Sequence, residues 1–257
     1  MSPSQAAARI QWLLLGYAAS VATPQVWPTH FALRTHAGLM LIDLPGDPHL
    51  HLPRFGLDPA RAEHLVLTHF HPDHVSGLPL FLQNLALRGR RRPLHVHGPA
   101  ATLQRAQAWL RALDWEPWPW AYAIQWHAPA VGRTPTLLLE WGSVRVFAAT
   151  MQHVVPTWGL RVEGPSGRAV AYSADTEPNP ALDALARDAA WLFHEATGPY
   201  PGHSTPAQAG QTARRAHAQR LYLVHLDPMT AAESVAQARA AFAGPVEVPQ
   251  PGQSWTL

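Results

Sequence analysis

Residues 65–77 read LVLTHFHPDHVSG, which places His69, His71, Asp73 and His74 directly behind an apolar run. Three imidazoles and a carboxylate in six positions make either a polar turn or half of a metal site. If His69 and His71 continue the strand, they point the same way and can share one ion. Pro72 favours a turn that would let Asp73 and His74 reach a second ion. Two ions about 3.5–4 Å apart lower the pKa of a shared water and hold both oxygens of a displacement.

The same pattern recurs along the chain. VFAATMQH ends in His153, VAYSAD in Asp175, LFHE in Glu195 and LYLVH in His225. Loops at strand ends are where a rigid scaffold presents chemistry, so these endings could converge on one rim. Cysteine is absent, so a metal must be held by His, Asp and Glu, and 16 histidines beside 17 acids make that feasible. The absence also excludes disulfides.

Composition sets further bounds. The 257 residues fit one large domain or two small ones, and no linker or repeat divides them, so one domain over 1–257 is expected. At 47% hydrophobic and 14% charged the chain is globular. It has no apolar run long enough to span a membrane, and a cytoplasmic location is expected. All 19 basic residues are arginine. With no lysine or cysteine, little titrates between pH 8 and 11, so the pI of 9.4 follows from a net charge of only +2. It is no argument for nucleic-acid binding. ARIQWLLLGYAASVA (8–22) has the outline of a short secretory leader, but one charge precedes its apolar run and a first strand is the better reading.

The elements that must position these groups alternate. Strands are expected near 11–16, 30–35 and 39–43, then at AEHLVLTH, followed by a helix over GLPLFLQNLALRG. A strand at PLHVHGP and a helix at AATLQRAQAWLRAL lead into a Trp/Pro-rich stretch. Strands follow at TLLLEW, SVRVFAAT, GLRVEG and AVAYSAD, with a turn at EGPSGR. Beyond a short helix at 180–187 come the strand AAWLFHEAT and a helix started by Thr205, Pro206 and Gln208 as a capping box. The strand RLYLVHLD, a helix near 230–242 and a short last strand end the pattern. Two strand sets separated by helices imply an α/β sandwich of two mixed sheets with helices outside.

H-x-H-x-D-H over His69–His74 resembles the signature of the metallo-β-lactamase superfamily of αββα hydrolases. The resemblance implies two divalent ions, Zn²⁺ first and Mn²⁺ as the alternative. His69, His71 and His153 would hold one; Asp73, His74 and His225 would hold the other, with Asp175 bridging. The order fits, with 79 residues from His74 to His153, 22 more to Asp175 and 50 more to His225. The sequence is most similar to the ribonuclease Z branch, whose two later motifs HEAT (194–197) and GHST (202–205) resemble. There Glu195 and His203 would form a dyad at the leaving group, catalytic together with Asp73. A carboxylate that orients an imidazole keeps it protonated and able to donate.

Departures from that branch bear on substrate. Members that trim tRNA carry a long arm between the positions of His153 and Asp175, where this chain has only residues 154–174, enough for two strands and a turn. The loop ATPQVWPTHF lacks the usual basic residues, and LIDLPGD replaces the usual acidic, glycine-rich pattern. A metal-dependent phosphodiesterase of small, cyclic nucleotides is therefore expected. Its alternatives are tRNA 3′-processing, a lactonase or thioesterase, and a nucleotide- or RNA-binding module without turnover. Relatives imply a homodimer. HLH (49–51), HVH (95–97), His64 and His194 read as scaffold, RGRRRP (88–93) as a solvated turn, and Trp115, Trp118, Trp120 and Trp126 as core or interface.

Overall fold

The computed structural model describes residues 10–115 and 121–257. Trp118 and Trp120 lie outside the described residues. The first half runs β1 (Gln11–Gly16), β2 (His30–Arg34), β3 (Leu39–Ile42), α1 (Pro48–His51), β4 (Ala62–Val66), α2 (Pro72–Val75), α3 (Leu78–Leu87), β5 (Leu94–His97), α4 (Ala100–Ala112) and β6 (Ile124–His127). The second half runs β7 (Thr136–Trp141), β8 (Val144–Thr150), β9 (Trp158–Glu163), β10 (Ala169–Tyr172), α5 (Pro180–Leu185), β11 (Trp191–Glu195), α6 (Pro206–Arg215), β12 (Leu221–Val224), α7 (Ala231–Arg239) and β13 (Val246–Glu247). A last strand, β14 (Ser254–Thr256), returns to the first sheet.

The two sheets have the orders β14-β1-β2-β3-β4-β5-β6 and β13-β12-β11-β10-β9-β8-β7. Each begins as an antiparallel meander and becomes parallel, from β3 to β6 and from β10 to β13. Strands covered on both faces read as unbroken apolar runs. That is why LMLI, AVAY and LYLV are short and wholly buried. Alternation still sorts their side chains. Trp12, Leu14, Met40, Ile42 and Val66 face the second sheet, whereas Leu13, Leu15, Leu41 and Leu65 pack with Phe81, Leu85 and Leu103 of α3 and α4. Phe31 centres the inter-sheet layer, 4.8 Å from Trp12 and Tyr172 and 5.2 Å from Phe193. The α/β sandwich expected from the sequence is the observed architecture, and residues 11–16 form a buried strand.

Three local expectations need correction. Residues 124–127 form β6, an edge strand parallel to β5, inside a stretch read only as Trp/Pro-rich. The four residues IQWH do alternate, but so short a run beside a Trp/Pro-rich stretch is a weak strand signal, and pairing with β5 supplies the order. Arg90 is no solvated turn residue. It is buried, its guanidinium donates to the carbonyls of Ala62 (2.7 Å), Pro93 (2.6 Å) and Arg92 (3.0 Å), and it lies over the Tyr122 ring. Its donors thus serve carbonyls of the loop and of the start of β4. The strand expected over AEHLVLTH is β4, which contains His64 but stops at Val66, so residues 67–69 lie beyond it.

His64 belongs to a histidine cluster at the β4–β6 edge. His64 Nδ1 lies 3.1 Å from His97 Nε2, and His95 Nδ1 lies 3.1 Å from His127 Nε2. The rings stack at centroid spacings from 4.6 to 5.3 Å, and His64 meets Trp141 of the second sheet. Burial, then the neighbouring rings, pushes His97 down to about 3 and His64 down to about 4. Both are neutral in the folded protein. A histidine depressed in this way favours folding fully above its unfolded pKa and loses that contribution as pH falls toward the folded value. Urea unfolding should therefore show the wild type losing about 1–2 kcal/mol more stability than His97→Gln between pH 7 and pH 5. Equal losses would mean that His97 titrates freely in the fold.

Candidate metal centre

Strands β4, β8, β10, β11 and β12 all point toward one rim. The last three and β4 are in parallel pairs, and β8 runs with β10 because both are antiparallel to β9. Crevices beyond the carboxyl ends of such strands are the usual ligand sites of α/β sheets. His69, His153, Asp175 and His225 sit one to three residues past their strands, and Glu195 is the last residue of β11. The two sheets are tied there by the Trp158 N–H, which donates to the Thr68 carbonyl at 3.1 Å.

Three groups of potential ligand atoms form among the described residues; one joins Asp175, His203 and His225, and two divide the expected ligands. In one, His71 Nδ1 lies 3.1 Å from His69 Nε2 and 3.3 Å from His153 Nε2, with Asp175 completing the set. In the other, Asp73 Oδ2 lies 3.3 Å from His225 Nε2 and 3.6 Å from His74 Nε2. Asp175 stands between them: Oδ2 is 3.6 Å from His69 and 3.4 Å from His225, and Oδ1 is 3.6 Å from His74. All seven sequence-derived ligand candidates are thus brought together. His69 and His71 do so from a loop rather than from the strand expected, since β4 ends at Val66. Pro72 starts α2 and carries Asp73 and His74 on its single turn.

The outer nitrogens decide what these rings offer inward. His153 Nδ1–H donates to the Gly202 carbonyl (2.7 Å), and His74 Nδ1–H donates to the buried Asp43 carboxylate (2.8 Å). Thr197 gives its hydroxyl hydrogen to the His225 carbonyl, so its oxygen accepts His225 Nδ1–H at 2.8 Å. Thr68 likewise gives its hydrogen to Asp43 and accepts His69 Nδ1–H at 3.1 Å. This hydrogen-bond network assigns all four tautomers. In its neutral form each ring has only the Nε2 lone pair left, and it points to the centre. Ligating histidines are oriented in this way by a partner on the other nitrogen.

Two atoms at the centre, His74 Nε2 and Asp175 Oδ1, are buried without a hydrogen-bond partner. Unpaired buried polar atoms are costly. Imidazole and carboxylate donors suit Zn²⁺ and other divalent transition metals, so the donor set fits metal. Without one, burial depresses His74, but the Asp175, Asp43 and Asp73 carboxylates outweigh it and raise the ring to about 10.

Beside the metal-ligand set, His203 Nδ1–H donates to Glu195 Oε1 at 3.1 Å. Glu195 is fully buried and also accepts the backbone N–H groups of Thr176 (3.1 Å), Ser204 (3.0 Å) and Thr197 (2.9 Å). Burial lowers the His203 pKa, but the Glu195 hydrogen bond and charge more than offset it, and the net shift is upward. The segment is pinned by α6, where Thr205 Oγ1 accepts the Gln208 N–H and the Gln208 side chain accepts the Thr205 N–H. Such a cap is worth about 1 kcal/mol. A cavity of about 360 Å³ opens here, lined by His71, Asp73, Asp175, Tyr200, His203 and His225 among others.

Sequence reasoning missed the supporting groups. Asp43 carried a readable signal, because LMLID is one more apolar run ending in a polar residue. Ser20, whose hydroxyl donates to Asp73 Oδ2 at 2.8 Å, carried none, and Thr197 was read only as the end of HEAT. Gly202 approaches His153 so closely that a Cβ there would lie 2.7 Å from Nδ1, and its φ is +82°. The side chains of HLH, HVH and His64 stay outside both groups. His194 faces away from the site, with Nδ1–H donating to the Glu195 carbonyl (2.7 Å).

Comparison with known proteins agrees with this picture. The Beta-lactamase superfamily domain matches residues 43–226. Ribonuclease Z of Leuconostoc mesenteroides is 29% identical over 231 residues, covering 66% of this chain and 70% of that protein. An uncharacterised protein of Mycobacterium bovis is 31% identical over 249 residues, covering 91% and 87%. The crystal structure of human tRNase Z, short form, superposes with a TM-score of 0.78 at 22% identity, covering 96% of this chain and 99% of that one.

Two outcomes are expected. Asp43→Asn keeps a residue tolerant of φ +63° but removes the charge behind His74. Equilibrium dialysis should show metal affinity falling about 10–100-fold; an unchanged affinity would remove Asp43 from the centre. Titrating metal-free protein with Zn²⁺ in buffers of different ionisation enthalpy should show proton release, because His74 holds a proton that the metal displaces. Affinity should accordingly fall as pH is lowered.

Proposed function

Since the chain belongs to the metallo-β-lactamase superfamily, on its ribonuclease Z-like branch, and is a metal-dependent hydrolase, we propose that it is a dinuclear phosphodiesterase of small, cyclic nucleotides. In this reading His69, His71 and His153 would hold one ion, Asp73, His74 and His225 would hold the other, and Asp175 would serve both. Zn²⁺ is the first choice and Mn²⁺ the second. Ions bound there supply Lewis acidity toward a phosphoryl oxygen and lower the pKa of a water.

The observation that carries the phosphodiester reading is the Glu195–His203 pair. A departing alkoxide needs a proton, and Glu195 fixes Nδ1–H so that Nε2 is the nitrogen available to the cavity. His203 Nε2–H then passes its proton to the leaving oxygen as the P–O bond breaks, and Glu195 stabilises the ring throughout. Asp73, held by Ser20, would orient on the other side of phosphorus a water that has already released one proton to solvent, so that hydroxide forms the new P–O bond as the bond to the leaving oxygen breaks.

A small substrate is favoured by what lies between His153 and Asp175. There the chain forms only β9, a turn at 164–168 and β10, with Gly164 N–H donating to the Arg168 carbonyl. No protruding arm adds basic surface, and a cavity of about 360 Å³ suits a mononucleotide. A second reading, tRNA 3′-end processing, is favoured by the likeness to ribonuclease Z of Leuconostoc mesenteroides.

Metal-loaded protein given a pool of cyclic mononucleotides and a 3′-extended tRNA together decides between them. Linear nucleotides with intact tRNA are expected; trimmed tRNA with an untouched pool would establish the second reading. His203→Ala should lower kcat about 10²–10⁴-fold while elemental analysis finds its metal content unchanged. A parallel loss of metal would make His203 a ligand instead.

A further inference from the structure

Next to the metal cavity lies a second groove, of about 490 Å³, lined by Ser20, Ala22, Trp27, Pro28, Pro45, Gly46, Pro72, Asp73 and Ser76. Ser20 and Asp73, joined by a hydrogen bond, line both, so the two spaces adjoin across that pair. We propose that this groove, walled by Trp27, seats the nucleobase of the substrate whose phosphate lies at the metal centre.

Three features point to a flat, uncharged, aromatic occupant. First, the groove is mainly apolar, with one charged residue, Asp73, at its inner end. A phosphate chain would find no cation along it. Second, the Trp27 ring is fixed. It stacks on His51 with centroids 3.9 Å apart and planes 20° from parallel. His51 is itself held by its Nε2–H, which donates to the Leu15 carbonyl at 3.0 Å. Gly46, at φ +62°, braces the same ring: it lies so near the Trp27 edge that a Cβ there would come within 2.8 Å of Cζ3. Third, the remaining wall is rigid. Pro28, Pro45 and Pro72 add rigid surfaces that lose no rotamer entropy on binding.

The assignment rests on the phosphodiesterase reading and supplies its specificity. Base stacking on an aromatic side chain tolerates any base, so the groove selects nucleotides over other phosphodiesters without selecting a sequence. Trp27 lies in the loop where basic residues were expected. The chain has an aromatic wall there instead.

Binding tests this independently of turnover. Titrations of metal-loaded protein with AMP and with ribose 5-phosphate compare the same phosphate with and without a base. AMP is expected to bind more tightly by about five- to hundredfold. Trp27→Ala should collapse that ratio and Trp27→Phe should keep most of it, with thermal melting used to confirm that both variants are folded. A wild type that does not distinguish the two ligands, or a Trp27→Ala loss shared equally by both, overturns the proposal. The dinucleotide pApA separates the two sources of a base: affinity no better than that of AMP assigns the groove to a mononucleotide, and a tenfold gain assigns it to an RNA strand. Failure of the metal-loaded protein to cleave any phosphodiester, with the AMP ratio intact, would sink the catalytic reading and leave the base subsite standing.

Discussion

Four imidazoles each commit their Nδ1 hydrogen to the protein, and the site depends on that commitment. The acceptors are the Gly202 carbonyl, the Thr197 and Thr68 hydroxyls, and the Asp43 carboxylate. They come from loops of both sheets, so the sandwich must close before the four Nε2 lone pairs can converge. Asp43 carries the most of this network. It accepts the Thr68 N–H and hydroxyl as well as His74 Nδ1–H, each at 2.8 Å, and so couples one histidine of each group. A buried carboxylate without these donors would be strongly destabilising.

Convergence also bends the backbone. Asp43, Ala174 and His225 have φ values of 63°, 48° and 50°, all immediately after or within two residues of strands that feed the site. Non-glycine residues in this region cost about 1–3 kcal/mol each unless local contacts favour it, and they gather at functional sites. Here the strain turns the chain sharply at the strand ends. His225 is held in that conformation by its N–H, which donates to Thr29 Oγ1, and by Thr197. The apolar layer around Phe31 offsets these costs, and the rigid strands transmit its packing to the rim.

Much of this was legible in the sequence because strand ends and ligand types coincide. Apolar runs closing on His69, His153, Asp175, Glu195 and His225 gave both the strands and the candidate ligands. The capping box at Thr205 placed α6 and, with it, His203. Ser20 was illegible, and Thr197 and Gly202 were read only as members of HEAT and GHST, for a physical reason: serine, threonine and glycine are ordinary loop residues, and their roles exist only once distant loops meet. Edge strand β6 was missed because its order comes from pairing with β5. The histidines of HVH show the converse, since the H-x-H spacing that marks the metal motif also arises wherever a strand turns alternate side chains to one face. What separates the two is the Asp-His that follows.

The most direct test of the account is to locate the ions. Anomalous diffraction at the zinc edge, from crystals of metal-loaded protein, should give two peaks flanking Asp175: one among His69, His71 and His153, the other among Asp73, His74 and His225. A single peak, or peaks away from Asp175, would contradict the dinuclear centre on which the proposed chemistry rests.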